Sequence, residues 1–252
     1  MTVDLGVGLA VALLALLGLA VAASRLGRLR MARAQVVAAV RAAAQLAAVS
    51  VIIAAAVAHV ATALAFAAFM FAVAVFTTAR RVGTGRAWPW TALAMAAGTA
   101  PVLATVHVSG AAPFTGVTIV ALSGIVIGNT MTAHTLLGQR AFAELRAHRG
   151  TYEAGLALGL VRRDAIDLVI EPLLPDALVP NLDQTRTVGL VALPGAFIGV
   201  LLGGGSPLQA GAAQVLVLVG VMAGQALTVA TAAELIRRAR LLPKDLTAAL
   251  HP

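Results

Sequence analysis

In the apolar stretches of this 252-residue chain only a few side chains could do chemistry. Gln45, Asn129, Thr132, His134, Gln214 and Gln225 supply hydrogen-bonding groups, and Met131 supplies a thioether. An Asn or Gln surrounded by lipid must find a partner, so it either bonds another helix or meets a solute on a pathway. Met131 and His134 are of the types that bind soft or borderline metals. A lone methionine at helical spacing also packs, and a lone histidine also serves as a hydrogen-bonded structural group, so the metal question stays open on these residues. Gly128 before Asn129, and Pro194-Gly195 further on, permit local unwinding that exposes backbone carbonyls to a pathway. Gln45, Asn129, Met131, Thr132, Pro194 and Gly195 are the candidate translocation residues.

Other chemistry has no residues to carry it. The chain has no Gly-x-x-x-x-Gly-Lys-[Ser/Thr] phosphate loop, and its single lysine is Lys244. It is not expected to be an ATPase or to bind a cofactor itself. No interior of an apolar run holds Asp or Glu, the groups that proton- or sodium-coupled metal transporters use within the membrane. Nor does a Ser/His/Asp or paired-carboxylate arrangement occur there, which argues against an intramembrane enzyme. With no cysteine, thiolate ligands and disulfides are excluded.

The elements that must position these residues follow from charge. All 18 Lys and Arg fall in four islands, Arg25–Arg41, Arg80–Arg86, Arg140–Arg186 and Arg237–Lys244. Between them the runs Ala42–Ala79, Ala87–Gln139 and Thr187–Ala233 are uncharged. A bilayer core of about 30 Å takes roughly 20 helical residues to cross. The run before the first island is long enough for one crossing, and each later run for two. An even number of crossings returns the chain to the side it left, so all four islands face one compartment, and their positive charge makes it the cytoplasm. The expectation is all-α: seven transmembrane helices, N-out and C-in, at 4–24, 42–58, 60–79, 88–108, 117–137, 187–203 and 209–233. The first run has no basic segment before it, only Asp4, and so reads as an anchor rather than a cleaved leader.

Composition agrees. At 60% hydrophobic and 11% charged the chain does not have the surface of a soluble domain. A formal charge of +8 would point to nucleic acid in a soluble protein, but here the charges flank the spans on one face, so no nucleic-acid partner is expected. Trp88 and Trp90 beside Arg86 suit the headgroup layer. The basic residues of Arg25–Arg41 fit either a helix lying on the membrane surface or snorkelling from the ends of spans. Glycines four apart, Gly124/Gly128, Gly195/Gly199/Gly203 and Gly220/Gly224, allow close helix approach within the chain or in a second copy.

Residues 140–186 form the one long loop and hold seven of the ten acidic residues. Thr151–Gly159 reads as a short helix capped by Thr151, followed by a Gly-permitted turn and a second helix, Arg162–Glu171. Pro172, Pro175 and Pro180 are expected to limit further helix before the sixth span. Such a helix–turn–helix is either a docking surface for a soluble partner or an ordinary solvated loop.

Two resemblances bear on that choice. Glu153-Ala154-Gly155, three residues, then Gly159 resembles the Glu-Ala-Ala-x-x-x-Gly coupling motif of ABC-transporter permeases, with Gly155 in place of the second Ala and Glu171-Pro172 where many importers have Leu-Pro. Over nearly the whole chain, Arg41-Ala42-Ala43-Ala44-Gln45-Leu46, Gly124–Met131, Leu137–Arg140 and the long block Ala177–Gly195 resemble the FetB (YbbM) family of permeases. That resemblance implies a permease subunit with a separate ATP-binding subunit, associated in bacteria with iron export. Plant relatives are tied to aluminium tolerance, so it leaves the substrate open. Glu153, Ala154, Gly155, Gly159, Arg162 and Arg163 are then the expected coupling residues.

The expectation is therefore one permease domain, 1–252, in the cytoplasmic membrane, exporting iron or another metal ion or complex. ATP enters through a partner subunit that docks on loop 140–186, and a second permease copy completes the assembly. The alternative is a stand-alone secondary transporter or channel for a small solute.

Overall fold

The computed structural model describes residues 6–250, so Asp4 and Leu5 at the start of the first expected span lie outside the described residues. Six described helices are long and apolar enough to cross a membrane. They are α1 (Val7–Leu26), α2 (Ala32–Ala58), α3 (Val60–Arg81), α4 (Trp88–Val108), α5 (Gly116–Ala147) and α10 (Pro207–Arg237). Between α5 and α10 come α6 (Arg149–Ala157), α7 (Arg162–Ile170), α8 (Val179–Thr187) and α9 (Gly195–Leu202), and α11 (Lys244–Ala249) ends the chain. This is a polytopic helical membrane protein.

The chain divides into two compact units, Met1–Ala56 and Val57–Pro252. In the first, the basic island Arg25–Arg41 does not form a separate surface helix. Gly27–Arg30 make a turn, with Arg28 and Arg30 at positive φ, and Arg33 and Arg41 lie on the first turns of the continuous α2. Ser24 is buried and donates to Gln35 Oε1 at 2.8 Å, which joins the end of α1 to the start of α2.

In the second unit α3 and α5 run side by side in the same direction. A Cβ on Gly116 would meet Val57 O at 2.2 Å at one end, and a Cβ on Gly138 would meet Val82 Cγ1 at 2.9 Å at the other. α10 runs parallel to α5, with Gly224 beside Thr130 and Val126, and Gln225 Nε2 donates to Asn129 O at 3.2 Å. α4 runs antiparallel to α10, since Gly98 meets Gly224 and Thr228 while Val102 meets Gly220. Of the spaced glycines, only Gly220 and Gly224 sit in a helix crossing. Gly124, Gly128, Gly195 and Gly199 have nothing of the chain within 4 Å of a built Cβ.

The expected sixth span, 187–203, is corrected. Thr187 ends α8, Val188 pairs with Ala192 across a tight turn that holds Gly189 at φ +80°, and helix resumes only at Gly195. Pro194 is extended at the start of α9 and cannot continue a helix from before it. The eight residues of α9 extend about 12 Å, far short of a bilayer. The chain still returns to the opposite end. α5 and α10 are parallel and their last turns share one buried cluster, so α8, the turn and α9 carry the chain back in two pieces.

That cluster gathers Leu137, Phe142 and Leu145 of α5, Tyr152 of α6, Ile166 and Ile170 of α7, Ile236 of α10, and Leu241, Leu246 and Leu250 beyond. Residues 140–186 are thus a structured layer on the helix ends and not a solvated loop. α5 and α10 extend about 48 and 46 Å, so both outrun the hydrocarbon and present their last turns to this layer. Trp90 lies under the Arg240 guanidinium at 4.9 Å, and Trp88 packs on Phe76 at 5.1 Å, both at this charged end.

Candidate translocation and docking sites

The break between α8 and α9 opens a cavity of about 360 Å³ beside α5 and α10. Four carboxamides converge on it: Asn129 from α5, Asn181 and Gln184 from α8, and Gln214 from α10. Pro194 and Gly195 complete the wall. Asn129 Nδ2 donates to Ile125 O at 2.9 Å, one turn back on its own helix, so its oxygen remains for another donor. Asn181 and Gln214 are buried, whereas Gln184 is exposed at the rim. Gln214 Oε1 has no hydrogen-bond partner among the described residues. A second, larger cavity of about 1050 Å³ lies toward the opposite end and is mostly apolar. Ile125, Gly195, Ala196 and Val217 line both, so the two voids meet at the first turn of α9.

Of the candidate pathway residues in the second unit, Asn129, Pro194 and Gly195 are brought together here, and Met131 and Thr132 are not. Met131 packs against the buried group of Ala74, Val75, Met95 and Ile127. Thr132 is exposed and donates to Gly128 O at 3.0 Å, the usual helix back-bond. Gln45 lies exposed on α2 in the other compact unit. His134, the second metal candidate, is buried on α5 and does not line the cavity, and both its ring nitrogens lack a partner among the described residues. No group of three or more His, Cys, Asp or Glu placed to hold a metal occurs among the described residues.

Asn181 and Gln184 were missed because the three prolines marked their segment as non-helical. Pro180 instead sits in the first turn of α8, where its missing N–H costs nothing. The spacing Asn181-x-x-Gln184 after such a proline is the signal that would have placed both on one face.

At the charged end, α6 and α7 form a packed pair. α6 starts at Arg149, directly after His148, rather than at a Thr151 cap, and Thr151 lies inside it. Gly155 is buried, and a Cβ there would meet Leu168 Cδ1 at 3.2 Å and Ala165 Cβ at 3.4 Å, so glycine suits the close approach of α7. Gly159 turns the chain at φ +91°, a conformation that favours glycine. The tip Leu158–Val161 is exposed and apolar, with Leu158 at 86%. Glu153 is exposed and accepts from Arg149 at 2.8 Å. Ala154 is exposed and Arg162 half-buried.

Arg163 is engaged within the chain: it donates to Glu234 of α10 at 2.9 Å, and Arg237 of α10 donates to Asp167 of α7 at 2.7 Å. Arg238 donates to the other oxygen of Glu234 at 2.7 Å. Arg146 holds Asp245 at 2.7 Å, and Arg140 pairs with Asp176. Exposed pairs stabilise little individually, but two of these join α7 to α10 over adjacent turns.

Hydrogen bonds from Arg163 and Arg238 hold the Glu234 carboxyl below its ordinary value of 4.5. A depressed carboxylate lends stability that is complete above the ordinary value and is lost as pH falls through the lower one. The melting temperature of the wild type is therefore expected to fall more steeply than that of Glu234→Gln once pH drops below about 4.5. Thermal unfolding of both in detergent between pH 7 and 3 checks this, and parallel curves would refute the pairing.

Lipid-length helices, a carboxamide-lined cavity beside α5 and α10 of the second unit, and a packed helical pair at the charged end of that unit define a multi-pass membrane protein with a polar cavity. The chain belongs to the uncharacterised protein family UPF0014, whose model matches residues 7–241. It is 36% identical over 127 residues to the UPF0014 membrane protein STAR2 of rice, covering 50% of this chain and 45% of that one. It is 33% identical over 116 residues to the UPF0014 membrane protein YjkA of Bacillus subtilis, covering 46% of each. It is 32% identical over 129 residues to a protein of Escherichia coli named the probable iron export permease protein FetB, covering 50% and 48%. The matched regions span about half the length of these curated relatives. No solved structure matches the chain.

Proposed function

We propose that this chain is the membrane-spanning permease subunit of an ATP-driven exporter of iron or another metal, as an ion or a complex. It lies N-out and C-in in the cytoplasmic membrane and works as two copies with two ATP-binding subunits. The observation that carries the reading is the seating of the α6–α7 pair. Glu153, Ala154 and Gly159 of the coupling-type motif lie on its exposed side, while Tyr152, Ile166 and Ile170 fix its other side to the ends of α5 and α10. α10 is also the helix that carries Gln214 into the cavity, about 30 Å away along one continuous rod. A push on the α6–α7 pair thus has a stiff path to the polar site. The name of the Escherichia coli relative supports iron as cargo, and the absence of a phosphate loop supports ATP use by a partner.

Co-expression with the ATP-binding subunit tests the assembly. The two proteins are expected to copurify, and removal of the partner should abolish transport. Transport by this chain alone in liposomes would favour the stand-alone carrier or channel instead.

A further inference from the structure

We infer that Asp167, Glu234 and Arg237, with Arg163, form a charge clasp that fixes the register of the α6–α7 pair along α10. Arg163 is thereby a positioning residue and not a contact for a soluble partner. What the clasp does for coupling rests on the permease reading above.

Two ion pairs of opposite sense build the clasp. On α7 a cation, Arg163, precedes an anion, Asp167, by one turn. On α10 the order is reversed, and the anion Glu234 precedes the cation Arg237. Arg163 donates to Glu234 Oε2 at 2.9 Å and Arg237 donates to Asp167 Oδ1 at 2.7 Å, so the two helices lie alongside in the same direction. Arg237 also lies 3.8 Å from Glu234 Oε2, and Arg238 donates to Oε1, which joins the pairs into one network. That network is partly withdrawn from water: the Arg237 side chain is 19% exposed and the Asp167 side chain 32%.

Beneath the clasp the contact is apolar. Ala165, Ile166, Val169 and Ile170 of α7 join the buried cluster that holds Ala232, Leu235 and Ile236 of α10. Aliphatic side chains at helical spacing separate neighbouring registers weakly, whereas charges beside them separate registers strongly. A slip of α7 by one turn toward the start of α10 sets Asp167 against Glu234. The opposite slip sets Arg163 against Arg237 and Arg238. Like charges resist both slips, and the observed register pairs opposite charges at both positions. Exposed pairs stabilise little individually, so the clasp acts through the arrangements it excludes. A one-turn slip would carry Glu153 and Gly159 about 5.4 Å along α10.

The chain contains no cysteine, so Gly150→Cys and Val108→Cys would supply its only two thiols for spin labels. A Cβ on Gly150 of α6 meets nothing within 4 Å, and Val108 is 87% exposed at the opposite end of α4. Electron–electron distances would be measured on full-length protein in lipid nanodiscs, with Arg238→Gln throughout to remove the third cation at Glu234. This background is expected to give one distance. Reversing α7 alone (Arg163→Glu with Asp167→Arg), or α10 alone (Glu234→Arg with Arg237→Glu), is expected to populate a distance about 5 Å different. Reversing all four is expected to restore the single distance, which a merely structural loss of packing would not do. If a half-reversed protein does not fold, Arg163→Gln with Asp167→Asn replaces it and is expected to show the second distance. A single unchanged distance in the half-reversed and neutral variants, or no restoration by the fourfold reversal, would overturn the inference. These distances need no ATP-binding subunit, so their failure and that of the permease reading are told apart. On that reading, stimulation of the proposed subunit falls with each half-reversal and returns with the fourfold reversal.

Discussion

Gly98→Ala is expected to destroy the packing of the second unit. A single added methyl would sit 2.1 Å from Thr228 Oγ1 and 2.2 Å from Gly224 O. The threonine side chain can rotate, but a helix carbonyl cannot, so α4 and α10 must part. Overpacking of this kind costs about 3 kcal/mol or more when backbone has to move. The helices cannot recover that by burying apolar surface, because lipid offers the same environment outside. Gly124→Ala is the matched comparison, since nothing lies within 4 Å of a Cβ there. It should change stability by no more than about 0.5 kcal/mol. Thermal unfolding in detergent, followed by size exclusion, distinguishes them. If Gly98→Ala melted with the wild type, the close crossing of α4 and α10 would be wrong.

The second large effect is expected at the charged end. On the proposed function, the Glu153→Lys, Gly159→Trp variant should insert and fold yet lose about tenfold or more of its stimulation of the proposed ATP-binding subunit. Glu153 is exposed, and its bond to Arg149 is a surface pair whose loss costs only a few tenths of a kcal/mol. Reversing its charge therefore changes what a partner meets more than it changes the fold. Gly159 has nothing around it but holds φ +91°, so tryptophan there both strains the turn and enlarges the exposed tip. The buried side of the pair, with Tyr152, Ala165 and Ile166, is untouched. ATP hydrolysis by the reconstituted complex checks the prediction, and undiminished stimulation would remove these residues from the coupling surface.

Hydropathy located five of the crossing helices well and a sixth in part, because lipid imposes a sharp requirement on composition. α4 matches its expected span at both ends, and α3 is longer by two residues. α2 and α5 run about ten residues past theirs, since charge marks where lipid stops and not where a helix stops. Arg33 and Arg41 remain on α2, and Arg140 and Glu144 on α5, where surface and partner groups accept them. Span six failed for the converse reason. Residues 187–203 are uncharged, but Gly189 and Pro194 decide the backbone there, and composition alone does not weigh them. The unwinding at Pro194-Gly195 was legible; the helix that precedes it was not, because Pro180 opens α8 instead of preventing it.

The candidate site was legible to about the same depth. Asn129, Pro194 and Gly195 stood out as polar or helix-breaking residues in apolar surroundings, and they meet in one cavity. Met131 looked equivalent to Asn129 in sequence, yet two residues along a helix point to different faces, and it joins Met95 in the core. Arg163 looked like a docking residue, and its partner, Glu234, lies 71 positions away on another helix. Such pairings depend on tertiary contact and leave no local spacing to read.

The most direct test of the whole account is ATP-dependent metal efflux in proteoliposomes containing this chain with the proposed ATP-binding subunit. Iron-loaded vesicles should release metal only when both proteins and ATP are present, and the Glu153→Lys, Gly159→Trp variant should abolish the release. Release that needs neither ATP nor the second subunit would contradict the account and establish a stand-alone carrier or channel.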